Sequence, residues 1–200
     1  GVNVVARNGV VAYNGRGGFM VRLRRDRTAL LVIDVQERLL PVIDGHDELE
    51  VRIRTAIEGA KALGVPLVAT EQYPKGLGPT VPSLAGLLAS PVEKLSFSCC
   101  GVEGVDRALA EAGPQAVLVA GIETHVCVLQ TVLDLIERGL TPVLLADCTG
   151  SRHRLDHEVA LERMRAEGAT VSTVESALFE LVGVAGSDEF KQISRLVKPL

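Results

Sequence analysis

Six short apolar runs, separated by amphipathic stretches, constrain this chain more than any other feature. They are TALLVID at 28–34, VPLVAT at 65–70, PVEKLSFS at 91–98, QAVLVAGI at 115–122, TPVLLAD at 141–147 and ATVSTV at 169–174. The strongest of them show no alternation of apolar and polar positions, as strands do when both faces are covered. Between them, 47–64 carries Leu49, Ile53, Ala56, Ile57, Ala60 and Leu63 at spacings of three and four, which is helical, and Gly64 ends it. Further helical stretches are predicted at about 83–89, 103–112, 125–138 and 152–167, with helical pieces closing the chain. Strands alternating with amphipathic helices predict a three-layer α/β domain around a parallel sheet.

Composition narrows the function. The 200 residues fit one domain, and the 47% hydrophobic and 23% charged shares are globular. The apolar run at 116–122 falls far short of the roughly 18 residues that a membrane span needs. A net charge of −4 gives no basic field to attract nucleic acid. With 3% aromatic residues and no tryptophan, stacking platforms for single strands are also disfavoured. Cys99, Cys100, Cys127 and Cys148 form no CxxC pair, so neither a disulfide framework nor a zinc ribbon is indicated, and free thiols in a reducing cytoplasm are expected.

Residues 1–27 are expected to lie outside the domain, as an arm or an extension upstream of Met20. A short β-hairpin around Arg7, Asn8 and Gly9 is the alternative, because Asn-Gly suits a two-residue turn. The GRGG at 15–18 precedes a strand instead of following one and carries no nucleotide-binding weight.

Ligands of open α/β sheets bind beyond the carboxyl ends of the strands, where the strand order reverses. That rule selects Asp34 after the first run, Glu71 after the second, Lys94 in the third and the ETHVC segment at 123–127 after the fourth. Asp34 is either a cap for the next segment or a partly desolvated general base. Lys94 is either an edge-strand lysine or a partner for that base. Thr124 as an N-cap would set Cys127 in the first turn of a helix, where the dipole lowers a thiol pKa and free amides, those of Val126 and Cys127, can hold an oxyanion. The alternative for Cys127 is a buried packing thiol. His153 and His157 stand one helical turn apart in HRLDH, yet the surrounding charges indicate a solvated face more than a metal site. Cys99, Cys100 and Cys148 read as packing or loop residues.

Taken together, ALLVIDVQERLL, the EK at 93–94 with Phe97 after it, VLVAGIETHVCVLQTVLDLIERG and TEQYPKGLGPTVP at 70–82 resemble the isochorismatase-like cysteine hydrolases, from about residue 28 to 198. The resemblance implies a six-stranded parallel sheet in Rossmann-like order 3-2-1-4-5-6 and a catalytic triad of Asp34, Lys94 and Cys127. It also implies a cis peptide between Ile122 and Glu123, and a homo-oligomer. In that mechanism the Cys127 thiolate attacks a carbonyl or nitrile-like carbon, Asp34 moves the proton, Lys94 holds the carboxylate, and the amides of Val126 and Cys127 hold the oxyanion.

Metal-dependent nicotinamidases of the superfamily carry an aspartate and histidines after the second strand, where this chain reads TEQYP at 70–74, so no metal or other cofactor is expected. The leading reading is a metal-free hydrolase of a small amide or related carbonyl compound. An Asp34-dependent vinyl-ether hydrolase and a non-catalytic redox or scaffold protein are the alternatives. Pocket candidates are Gln36, Glu71, Tyr73, Phe97 and His125, with Ile122 and Glu123 nearby. The loop at 74–82 is a lid, an interface segment or a plain surface turn.

Overall fold

Alternate residues of a strand point to opposite faces, and here both sets of alternate residues are apolar. In β1 (Thr28–Ile33), Leu30 and Val32 face one core while Leu31 and Ile33 face the other. β2 (Leu67–Gln72), β3 (Val92–Lys94), β4 (Ala116–Ile122), β5 (Thr141–Gly150) and β6 (Thr170–Ser172) complete a sheet in the order β3-β2-β1-β4-β5-β6. Every neighbouring pair is parallel. This computed structural model describes residues 22–200, together with the pairing of Ala6–Arg7 with Val10–Val11.

Helices fill both outer layers. They are α1 (His46–Ala62), α2 (Pro74–Leu77), α3 (Pro82–Ala85), α4 (Glu103–Ala112), α5 (Leu129–Glu137), α6 (Arg154–Glu167), α7 (Val174–Val182) and α8 (Asp188–Val197). α1, α7 and α8 cover one face, where Ile53, Ile57 and Leu178 share a core with Leu30 and Leu118. α4, α5 and α6 cover the other, where Val105, Leu135 and Met164 join Leu31 and Val119. Each fully buried aliphatic side chain contributes about 1.5–3 kcal/mol, so the two cores lock the central strands β1 and β4 in register.

Several element ends differ from the sequence expectation. The run at 91–98 is a strand only over Val92–Lys94; beyond it the chain turns, bringing the Ser96 and Phe97 carbonyls onto the Lys94 ammonium. The run at 141–147 continues to Gly150, and the last strand stops at Ser172 because Thr173 caps α7, its hydroxyl accepting from the Ser176 amide. The stretch expected as one helix over 125–138 begins with a π-helical turn, Thr124–Val128, before α5. That over 83–89 shrinks to α3.

Of the expected arm, residues 22–27 rest on α7: Leu23 is buried and its amide donates to Glu180 Oε1 at 2.7 Å. The hairpin reading of the N-terminal segment meets a two-residue ladder, Ala6 opposite Val11 and Arg7 opposite Val10. The GRGG segment and Met20 lie outside the described residues.

Gly121 sets how closely the two central strands meet below the site. Its φ is +120°, the β4–β5 register shifts beside it, and a Cβ there would run into the Ile33 backbone. Only glycine accepts both the angle and the contact.

Candidate active site

β1 ends one residue before Asp34, which takes a left-handed conformation (φ 54°) and is fully buried. Aspartate tolerates that region better than most residues, and retaining it in a fully buried side chain marks a constrained position. Asp34 Oδ1 accepts a 2.7 Å hydrogen bond from Thr70 Oγ1 of β2. Oδ2 stands 2.7 Å from Lys94 Nζ at the end of β3, and both side chains are 0% exposed. The contact is an ion pair without hydrogen-bond alignment, so Oδ2 accepts no aligned hydrogen bond among the described residues.

Lys94 Nζ also donates to Gln72 Oε1 (2.7 Å) and to the carbonyls of Phe97 (2.9 Å) and Ser96 (3.1 Å). Removing two charges from water is costly unless partners are this close and the remaining donors are satisfied.

Cys127 sits in the π turn after β4, 6% exposed, with Sγ 4.0 Å from Gln72 Oε1. Burial pushes its thiol well up; the Asp34 charge and a hydrogen bond to Asp34 add to the effect, against Lys94. The expectation of a thiol lowered by a helix N-terminus is therefore corrected in direction: burial is the largest influence on it and pushes it up. Thr124 does not cap that turn either, since its hydroxyl pairs with His157 Nδ1 at 2.9 Å. The Ile122–Glu123 peptide is cis, and the Glu123 carbonyl accepts from the amides of Val126 (3.1 Å) and Val128 (3.2 Å). The Val126 amide, expected to hold an oxyanion, thus already has an acceptor.

The pocket candidates separate. Gln36 is fully buried and its carboxamide is wholly engaged by backbone groups of Gln72 and Gly78. Glu71 Oε1 accepts from the Thr80 amide (2.6 Å) and hydroxyl (2.7 Å), tying the 74–82 loop to the sheet instead of facing a ligand. A bridge between Gln36 and Thr80 fastens the same loop, which does not behave as a free lid. Tyr73 and Phe97 are half exposed. His125 pairs with Ser151 Oγ at 2.9 Å, and Glu123 Oε2 accepts from the amide (3.1 Å) and Nε (3.0 Å) of Arg152. A cleft of about 370 Å³ at the β3 edge is lined by Tyr73, Pro74, Lys75, Glu93, Lys94 and Leu95, so Lys94 touches it while Asp34 and Cys127 do not.

Gln72 is the residue that sequence reasoning missed. It lies two positions after Thr70 on the same face of β2, so the strand period could have found it. Cys99 is buried beside the site, its Sγ 3.7 Å from Thr70 Oγ1 and its thiol pushed up to about 11 by burial. Cys148 is a buried member of the other core. Among the described residues no three His, Cys, Asp or Glu side chains gather as a metal would require. His153 precedes α6 in extended backbone, so it does not share a helix face with His157. No helix of the described residues is long and apolar enough to cross a membrane.

Comparison with known proteins accords with this architecture. "Isochorismatase domain-containing protein 2" of Bos taurus is 43% identical over 171 residues, which cover 84% of this chain and 82% of that protein. The structure of the MAR1 ribonuclease from Caenorhabditis elegans superposes with a TM-score of 0.84 at 38% identity, covering 88% of this chain and 92% of that one. YcaC of Escherichia coli, described as an octameric hydrolase of unknown specificity, shares the fold at 24% identity, with a TM-score of 0.84 over 90% of this chain and 92% of its own. The profile of the Isochorismatase domain matches residues 28–176, from the first central strand into α7, and the chain therefore belongs to the isochorismatase domain family of hydrolases.

Proposed function

We propose that this protein is a metal-free cysteine hydrolase that cleaves a small amide or related carbonyl compound through Asp34, Lys94 and Cys127. The observation that carries this reading is the buried Asp34–Lys94 pair, with Oδ2 unaligned to any donor, beside Cys127, whose thiol is pushed up by burial. Asp34 is then a general base rather than a spectator of a preformed thiolate. It takes the proton as sulfur bonds to the carbonyl carbon, and returns it to the departing amine as the carbon–nitrogen bond breaks. Water deprotonated by Asp34 then splits the thioester, and the proton returns to Cys127 sulfur. Lys94 balances the carboxylate throughout. The Cys127 amide, joined by that of Val126 when it shifts from the Glu123 carbonyl, is the oxyanion donor. Exposed Leu95, Phe97, Leu155 and Val159 support a homo-oligomer.

A panel of small amides tests this. Cys127→Ala is expected to lower turnover at least about a thousandfold, and wild type to show an acyl adduct on the Cys127 peptide by mass spectrometry. Full turnover in Cys127→Ala would overturn the covalent route and leave Asp34-dependent vinyl-ether hydrolysis. The likeness to the worm ribonuclease favours a second reading, RNA cleavage. The net charge of −4 sets it behind, since phosphate neutralisation dominates RNA affinity. Cleavage of RNA by wild type but not by Asp34→Asn would reverse that order.

A further inference from the structure

Gln72 is held more firmly than a pocket side chain requires. Its amide donates to Gln36 Oε1 (2.7 Å) and its carbonyl accepts from Gln36 Nε2 (2.9 Å), so one buried carboxamide brackets it on both sides. The second Nε2 hydrogen of Gln36 goes to the Gly78 carbonyl at 2.7 Å. Gln72 Nε2 in turn donates to the Leu95 carbonyl at 2.7 Å, which fixes which end of the carboxamide faces the site. Its Oε1 lies 2.7 Å from Lys94 Nζ and 4.0 Å from Cys127 Sγ.

The three N–H bonds of the ammonium go to Gln72, Ser96 and Phe97, with Asp34 Oδ2 beside them as an ion partner outside hydrogen-bond alignment. What Gln72 adds is place, because its neutral oxygen stands against both the ammonium and the thiol. A carboxylate there would set a second negative charge beside Asp34. An apolar side chain would leave the ammonium free to move toward sulfur.

We propose that Gln72, braced by Gln36, is a positioning residue of the reaction: a neutral acceptor between Lys94 and Cys127 that keeps the ammonium on Asp34 and away from sulfur until a substrate arrives. This inference rests on the triad reading above.

The test is the pH dependence of iodoacetamide labelling of Cys127, read by peptide mass spectrometry on the intact protein, in wild type, Gln72→Glu, Gln72→Leu and Asp34→Asn. Gln72→Glu is expected to move the labelling midpoint up by about one pH unit, roughly tenfold slower at a fixed pH. Gln72→Leu moves it down by a similar amount, because the negative end of the carboxamide is gone. A side chain that only filled space would not shift the two variants in opposite directions. Gln72→Met, a neutral side chain of similar length without an acceptor, replaces Gln72→Leu in the comparison if the latter does not fold, and is expected to shift the profile in the same downward direction. Wild-type profiles in the folded Gln72 variants, with a shifted profile in Asp34→Asn, would overturn the role of Gln72 and leave the triad standing. No shift in any variant, Asp34→Asn included, would overturn both.

Discussion

On the side of the site built by β1, β2 and β3, Asp34, Thr70, Gln72 and Lys94 are buried and joined by three contacts of 2.7 Å. On the side built by β4 and β5, Glu123 meets an Arg152 side chain that is 54% exposed, His125 leans on Ser151, and Cys127 rides on a π turn. Fixed charges are stable in the interior only when several neighbours satisfy them together, so the charged side draws its members from three strands. Cys127, the proposed nucleophile, belongs to this second side though it is itself buried. The contrast separates a floor of buried, mutually satisfied charges from a rim of more exposed contacts.

The largest expected effect breaks the floor. Lys94→Met leaves Asp34 buried without its partner and should cost about 3–5 kcal/mol in urea denaturation, much of it recovered in the double variant Asp34→Asn/Lys94→Met. A loss below about 1 kcal/mol would mean that the pair is not the anchor of this side.

An intermediate effect comes from pH. Burial raises the folded thiol of Cys99 to about 11, against about 8.5 in an unfolded chain. A raised folded value means that the folded state holds the proton more tightly, so the contribution is full below about pH 8.5 and is lost as pH rises through about 11. The Cys99 contribution to unfolding free energy should therefore fall by about 3 kcal/mol over that window, and Cys99→Ala should flatten the slope by that amount.

The smallest effect is on the rim. Arg152→Ala removes an exposed ion pair and should change stability by less than about 1 kcal/mol. A larger loss would show that the rim is structural too and would blur the contrast.

Much of the floor was legible in the sequence. Asp34 after TALLVI, Lys94 in the third run and Cys127 after the fourth all lie where strand ends meet in a doubly wound sheet, and the structure brings the three to one place. Gln36 and Glu71 misled because position after a strand cannot distinguish a side chain that faces a ligand from one that ties down a loop. Both make contacts across 9 to 42 residues of sequence. Gln72 was passed over because the expected run ended at residue 70, while the strand continues through Gln72.

The periodicity of the chain by itself determined the layered α/β fold, because covering both faces of each strand is a local demand that every run and helix repeats. The left-handed backbone at Asp34 and the upward push on the Cys127 thiol were decided only by tertiary structure. A thiol's proton affinity is the sum of its desolvation and of nearby charges, and the charges here come from residues 33 and 93 positions away in the chain, Lys94 and Asp34. Sequence alone supplied the helix-start signal that pointed to a lowered thiol; burial, which only the assembled sheet and helices impose, reversed its sign.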